Sequence, residues 1–256
     1  MPHAPETLPR TELERRLRRS RTLNLVLGAL AVVGLVFGGV QLAQGGAAGG
    51  ATAASDGAAA EDSAAGTDAD TAVTVERRID GDTMAIGALD APVVLSEWVD
   101  FRCPFCAVFS RDTFPVLVEE YVNTGKVRLE MHDVAYFGEE STRAAAAARA
   151  AGEQEHYFEF VKAVYDAAPE SGHPDLTPEE LLAFAKTAKV PDLDRFAADM
   201  ERADLREAVS QSTTQAQQLG VSGVPFFAVD GQAISGAQPV ETFRAMLDEA
   251  LAAAKQ

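Results

Sequence analysis

"APVVLSEWVDFRCPFC", residues 91–106, holds both cysteines of the chain, Cys103 and Cys106, two residues apart and directly after an apolar run. Residues 92–101 are largely apolar on both faces, the pattern of a central strand covered on each side. Pro104 then stands where a helix would begin. Proline is tolerated there because the N–H it lacks would have no intrahelical partner. A cysteine at such a helix start meets unpaired N–H groups and the positive end of the helix dipole, so its thiolate is favoured. Cys106 follows about one turn later on the same face, where the two sulfurs can meet. The spacing predicts Cys103 as the exposed attacking thiol and Cys106 as the more buried resolving one, since disulfide exchange proceeds by thiolate attack on sulfur.

Two other readings of the pair are weaker. A structural disulfide here would close a very short loop, for which the entropic gain is small. A zinc site needs further ligands, and His3, His132, His156 and His173 stand at no ligand spacing. Neither a metal nor a cofactor is expected. Glu97 shares a strand face with Leu95, Val99 and Phe101, which predicts a buried carboxyl with a raised pKa, able to pass protons to or from Cys106. His132, in "MHDV", reads as a solvated strand-end residue rather than a base.

Downstream of the cysteines, Phe114, Leu117, Val118, Tyr121 and Val122 fall on one helix face. Pro115 should kink that helix and Gly125 should end it. "KVRLEM", 126–131, alternates as a strand, completing a βαβ unit. Residues 139–219 are rich in helix formers, with a capping box at Thr177–Glu180. "VPFFAVDGQAIS", 224–235, reads as two short strands about an Asp230-Gly231 turn, and Pro239 opens a last helix. The layout is α/β: βαβ, a helical block of about 139–219 lying over one end of the sheet, then ββα, all within a folded domain at 73–256.

Upstream, residues 1–22 carry six arginines and three glutamates, whereas the whole chain of 256 residues has a formal net charge of −17. The acidic body offers no Lys/Arg patch for phosphates, so nucleic acid is not an expected partner. Residues 23–43, "LNLVLGALAVVGLVFGGVQLA", contain no charge and are long enough to span a bilayer. The arginine cluster before them places the N-terminus in the cytoplasm and the folded domain outside, on a single-pass anchor. A cleaved signal peptide is the rival reading, disfavoured by the length of the apolar core and the lack of a small-residue site at its end. Gly34 and Gly38 form a G-x-x-x-G, which in a membrane helix is read as common glycine usage rather than as a pairing site. Residues 44–72 are mostly Ala, Gly, Ser, Thr and Asp, too poor in apolar surface to fold, and read as a flexible tether.

Taken together, "APVVLSEWVDFRCPFC", "FPVLVEEYVNTGKVRLEM" and "GVSGVPFFAVDGQAISG" resemble the DsbA-like branch of thioredoxin-fold disulfide oxidoreductases, over about residues 80–254. The resemblance implies a thioredoxin fold with a helical insertion. It implies Cys103 as nucleophile, Cys106 as resolving thiol, Pro225 as a cis-proline beside the disulfide, and the backbone of Val224 as a pairing edge for substrate. It also implies an extracytoplasmic oxidase of exported, cysteine-bearing unfolded proteins, reoxidised by a quinone-linked membrane protein. One departure stands out. The best-known oxidases of this branch have His between the Pro and the second Cys, and this chain has Phe105, which with Pro104 offers substrate an apolar contact rather than a charge. A disulfide reductase of the same fold and a non-catalytic peptide-binding assembly factor are the alternatives.

Overall fold

A computed structural model describes residues 75–255. The expected basic terminus (1–22), membrane span (23–43) and tether (44–72) lie outside the described residues. Among the described residues no helix is long and apolar enough to cross a membrane.

Strand β2 (Val93–Val99) is buried along its whole length, as its two-faced apolar pattern requires. It runs parallel to β3 (Val127–Asp133), pairing Val93 with Val127 through Val99 with Asp133. On its other side it lies antiparallel to β4 (Phe226–Val229), with Glu97 opposite Phe227. β4 turns at Asp230-Gly231 into β5 (Gln232–Ser235), and Gly231, with φ +75°, supplies the left-handed backbone of that turn. A short β1 (Ala85–Ile86), not foreseen in the sequence, pairs antiparallel with β3 and completes the sheet order β1-β3-β2-β4-β5.

The β2–β3 crossover is helical and interrupted just before Pro115, where the sequence places a kink. α1 (Pro104–Asp112) stops at Thr113, and α2 (Phe114–Leu117) restarts with Pro115 in its first turn. Val118–Val122 then widens to a π-turn, in which the Asn123 N–H donates to the Val118 carbonyl at 2.8 Å. Thr113 between the two helices keeps helical backbone, so Pro115 breaks the helix by the N–H it lacks, as the sequence predicts.

The helical block comprises α3 (Glu139–Gly152), α4 (Tyr157–Ala167), α5 (Pro178–Thr187), α6 (Leu193–Asp199) and α7 (Ala203–Gln218). The Thr177/Glu180 capping box opens α5 as its sequence predicts. The alanines of α3 let neighbouring helices approach closely, and Ala144–Ala148 are fully enclosed. The block docks at the C-terminal ends of β2 and β3. Arg149 makes a two-pronged ion pair with the buried Asp133, at 2.7 and 2.6 Å. The Tyr165 hydroxyl donates to the Asp100 carbonyl at 3.3 Å, and the Ala135 N–H donates to the Thr213 hydroxyl at 2.9 Å. α8 (Val240–Ala253) packs against β2, β4 and α2, and Phe109, Phe227 and Phe243 meet there ring to ring with centroids 4.5–5.2 Å apart.

Candidate active site

The strand-to-helix corner at residues 100–106 builds the site. Asp100 directly follows β2 and is fully buried. One carboxylate oxygen accepts the Arg102 N–H (2.9 Å) and the Ser141 hydroxyl (2.8 Å), and the other accepts the N–H groups of Tyr136 (2.8 Å) and Phe137 (3.3 Å). Its carbonyl accepts the Cys103 N–H at 3.0 Å. Asp100 thereby fixes the turn that delivers Cys103 to the N-cap of α1, with Pro104 in the first helical turn. Burial pushes the Asp100 carboxyl up, opposed by these hydrogen bonds.

Cys103 and Cys106 are both free thiols. The expected order of burial holds, with Cys106 wholly enclosed, but the expected exposure of Cys103 does not: it is only 3 % exposed. Val224 from the far side of the fold covers it, and the Cys103 S–H donates to the Val224 carbonyl at 3.4 Å. The Val224-Pro225 bond is cis. What projects instead is Phe105, at 63 % exposed, beside the partly covered Pro104.

The two thiols differ in acidity. A hydrogen bond from the Cys106 thiol, aided by the N–H groups of Cys106 and Phe105 and opposed by burial, brings Cys103 from near 9 down to about 7. The hydrogen bond from the partner thiol is the largest cause of the fall. Burial pushes the Cys106 thiol well up, and the neighbouring Cys103 adds to the rise. One sulfur is thus poised to ionise while the other retains its proton.

Glu97 is 1 % exposed, as its face on the strand predicts, and burial raises its carboxyl well above the ordinary range. One of its oxygens is buried without a hydrogen-bond partner. His132 corrects the sequence reading: it is buried, not solvated. Its ring stacks on Trp98 with centroids 4.8 Å apart, and Arg77 reaches its Nδ1 at 3.2 Å. Parallel pairing with β2 places it opposite Trp98, a partner that its own sequence neighbourhood does not reveal.

Asp100, Arg102, Phe137 and His173 were not singled out. An Asp two residues before a backbone donor at a strand end is an Asx-turn signal that points to Asp100. The other three meet only through tertiary contacts. Among the described residues no group of three or more His, Cys, Asp or Glu is arranged to hold a metal ion.

Residues 80–249 match the family described as Thioredoxin. The chain is 33% identical over 151 residues to the probable disulfide bond formation protein D of Bacillus cereus, an alignment spanning 57% of this chain and 69% of that protein. Its fold resembles oxidised BdbD from Bacillus subtilis, with a TM-score of 0.62 at 21% identity over 66% of this chain and 92% of that one. It also resembles a thioredoxin-like oxidoreductase from Silicibacter pomeroyi, with a TM-score of 0.56 at 28% identity over 65% and 90% of the two chains. With a C-x-x-C at the first turn of the helix that follows β2 and a helical block set between the two halves of its sheet, the chain belongs to the thioredoxin family and is a DsbA-like thiol:disulfide oxidoreductase.

Proposed function

We propose that the protein introduces disulfides into exported polypeptides on the outer side of a membrane, with Cys103–Cys106 as its redox pair. A substrate thiolate attacks Cys103 Sγ of the oxidised pair, and Cys106 leaves as a thiolate. Glu97, protonated in its buried site, gives Cys106 a proton. A second substrate thiolate then attacks the substrate sulfur of the mixed disulfide and expels the Cys103 thiolate. Two substrate thiols become one disulfide, and the enzyme carries away the two electrons. A quinone-linked membrane protein is the proposed acceptor of those electrons. The Val224 backbone beside Pro225 pairs with the substrate chain, and Phe105 and Pro104 offer it apolar contact.

The observation that carries this reading is the asymmetry of the two thiols: Cys103 at a helix N-cap against the Val224 carbonyl, Cys106 sealed one turn behind it. The names of the curated relatives support the direction, and the arginine cluster before an uncharged 21-residue stretch supports the anchored, extracytoplasmic placement. The test is oxidation of reduced, unfolded ribonuclease. Cys103→Ser should abolish it, and persistent activity in that variant would remove Cys103 from the role.

A second direction, disulfide reduction, is favoured by one feature. Phe105 presents no charge to Cys103, whose acidity stays near 7. A weakly stabilised thiolate makes a weaker oxidant, because thiolate stabilisation is what drives the reduced form.

A further inference from the structure

Beside Cys103 lies an open cleft of about 640 Å³, walled on one side by Tyr136 and Phe137 and on the other by Gln217 and residues 220–224. Val224 joins the cleft to the redox pair, since the same residue lines it and sets its carbonyl 3.4 Å from Cys103 Sγ. Phe137 is held in this wall with unusual completeness. Its N–H donates to Asp100 at 3.3 Å. Its carbonyl accepts from the Arg102 guanidinium at 2.5 Å. Its ring stacks on His173, with centroids 4.0 Å apart.

The clamp is reciprocal. Arg102 Nε donates to the Pro174 carbonyl at 2.6 Å, and the same guanidinium pairs with Glu140 at 3.2 Å. The His173 ring donates from Nδ1 to the Arg102 carbonyl at 2.9 Å, and the donor must be Nδ1 because a carbonyl only accepts. Every hydrogen bond and ion pair among these runs to Asp100 or Arg102, just before the nucleophile, and the ring stack reaches Arg102 through His173. The aromatic wall and Cys103 are therefore referenced to one rigid corner. A half-buried residue fixed at its backbone N–H, its carbonyl and one face of its ring is placed to present its remaining surface to the cleft.

We infer that Phe137 is a specificity-determining residue: it receives an apolar side chain that flanks the reacting cysteine of an unfolded polypeptide, with Arg102 and His173 as its positioning residues. The inference rests on the reading of Cys103 as the nucleophile. The occupant follows from continuity with that thiol. A polypeptide whose sulfur reaches Cys103 past Val224 must lay its neighbouring residues along the cleft, and the aromatic wall rewards apolar ones. Discrimination by an apolar surface of this kind is about tenfold or more per well-seated side chain.

The test uses the full-length oxidised protein and two cysteine peptides, one with leucine on both sides of the cysteine and one with serine. The readout is the ratio of their second-order rate constants for attack on the Cys103–Cys106 disulfide. Intrinsic thiol reactivity cancels when variants are compared, and a general loss of activity does not move the ratio. The wild type should favour the leucine peptide by about tenfold. Phe137→Ala should bring the ratio close to one, and Phe137→Leu should restore most of it. Gln217→Trp, at an exposed position across the cleft, fills the space without touching the clamp and should also erase the preference, which keeps the test open if Phe137→Ala does not fold. A wild-type ratio near one, or an unchanged ratio in Phe137→Ala or Gln217→Trp, overturns the inference while leaving the redox assignment standing. Activity in Cys103→Ser would instead fell the assignment on which the inference rests.

Discussion

The sulfur of Cys103 and the carbonyl oxygen of Val224 meet at 3.4 Å across 121 residues of sequence. In the dithiol state that carbonyl accepts a hydrogen bond from the Cys103 S–H. Once Cys103 ionises, an acceptor facing an acceptor is unfavourable, and the thiolate depends on the Cys106 thiol and the helix N–H groups alone. The contact thus favours the protonated thiol; the Cys106 thiol and the N–H groups at the start of α1 promote ionisation against burial and the Asp100 charge, and Cys103 stands at about 7.

That balance sets the pH dependence of the redox couple. Below pH 7 the reduced protein carries two thiol protons, so two electrons travel with two protons. Above pH 7 Cys103 is ionised and one proton accompanies the pair. The reduction potential should therefore fall by about 59 mV per pH unit below pH 7 and by about 30 mV per unit above it. Alkylation of Cys103 by iodoacetamide should reach half its limiting rate near pH 7. Titration against glutathione buffers between pH 5.5 and 8.5 reads the slope, and a straight line through pH 7 would contradict the assignment.

Phe105 governs where on the redox scale the enzyme stands. It is exposed and contributes no charge to its neighbour. Phe105→His adds an imidazolium at the start of α1, which should lower the Cys103 pKa by about one unit or more and raise the potential by about 30 mV for each unit. The same glutathione titration checks it. A variant with unchanged potential would show that Cys103 is insulated from its exposed neighbour.

Glu97 should reveal itself in stability as well as in rate. In the fold its carboxyl stays protonated well above the pH at which the unfolded chain ionises, near 4.5. Native stability therefore declines as pH rises from 4.5 toward the folded pKa, by up to about 1.4 kcal/mol per pH unit. Glu97→Gln removes this slope. The variant should match the wild type at pH 4 and exceed it at pH 8 in urea unfolding, while its release of Cys106 from the disulfide slows. Parallel stability curves would place the carboxyl in water.

Much of this was legible because it is local. The two-faced apolar run, Pro104 after Cys103, the Thr177/Glu180 box and Asp230-Gly231 each specify their own element, and the elements form where those residues stand. The burial of Glu97 followed from strand periodicity alone. What escaped depends on partners distant in sequence. The near burial of Cys103 comes from Val224. The Phe137 clamp needs loops around residues 102, 137 and 173 to meet, and β1 is too short at two residues to show any period. His132 was misread for the same reason, since its cover is Trp98 on the adjacent parallel strand.

His132 carries the last prediction. Burial, reinforced by the Arg77 and Arg149 charges and opposed by Glu130, holds its pKa down to about 3. The unfolded chain protonates it near 6.5, so folding excludes a proton throughout the window between these values. Stability contributed by the neutral ring is complete above pH 6.5 and is lost as pH falls toward 3, by up to about 1.4 kcal/mol per unit. His132→Phe keeps the stack on Trp98 and removes both the proton site and the buried, unpartnered Nε2, at the cost of the Arg77 contact. Its stability at pH 7.5 should lie within about 1 kcal/mol of the wild type, a modest change for a near-isosteric aromatic swap. At pH 4.5 it should be the more stable protein. Chemical denaturation at the two pH values decides the matter: a difference that does not change with pH would mean that the ring is protonated in the folded state, and that the Trp98–His132 stack is a cation resting on an aromatic face.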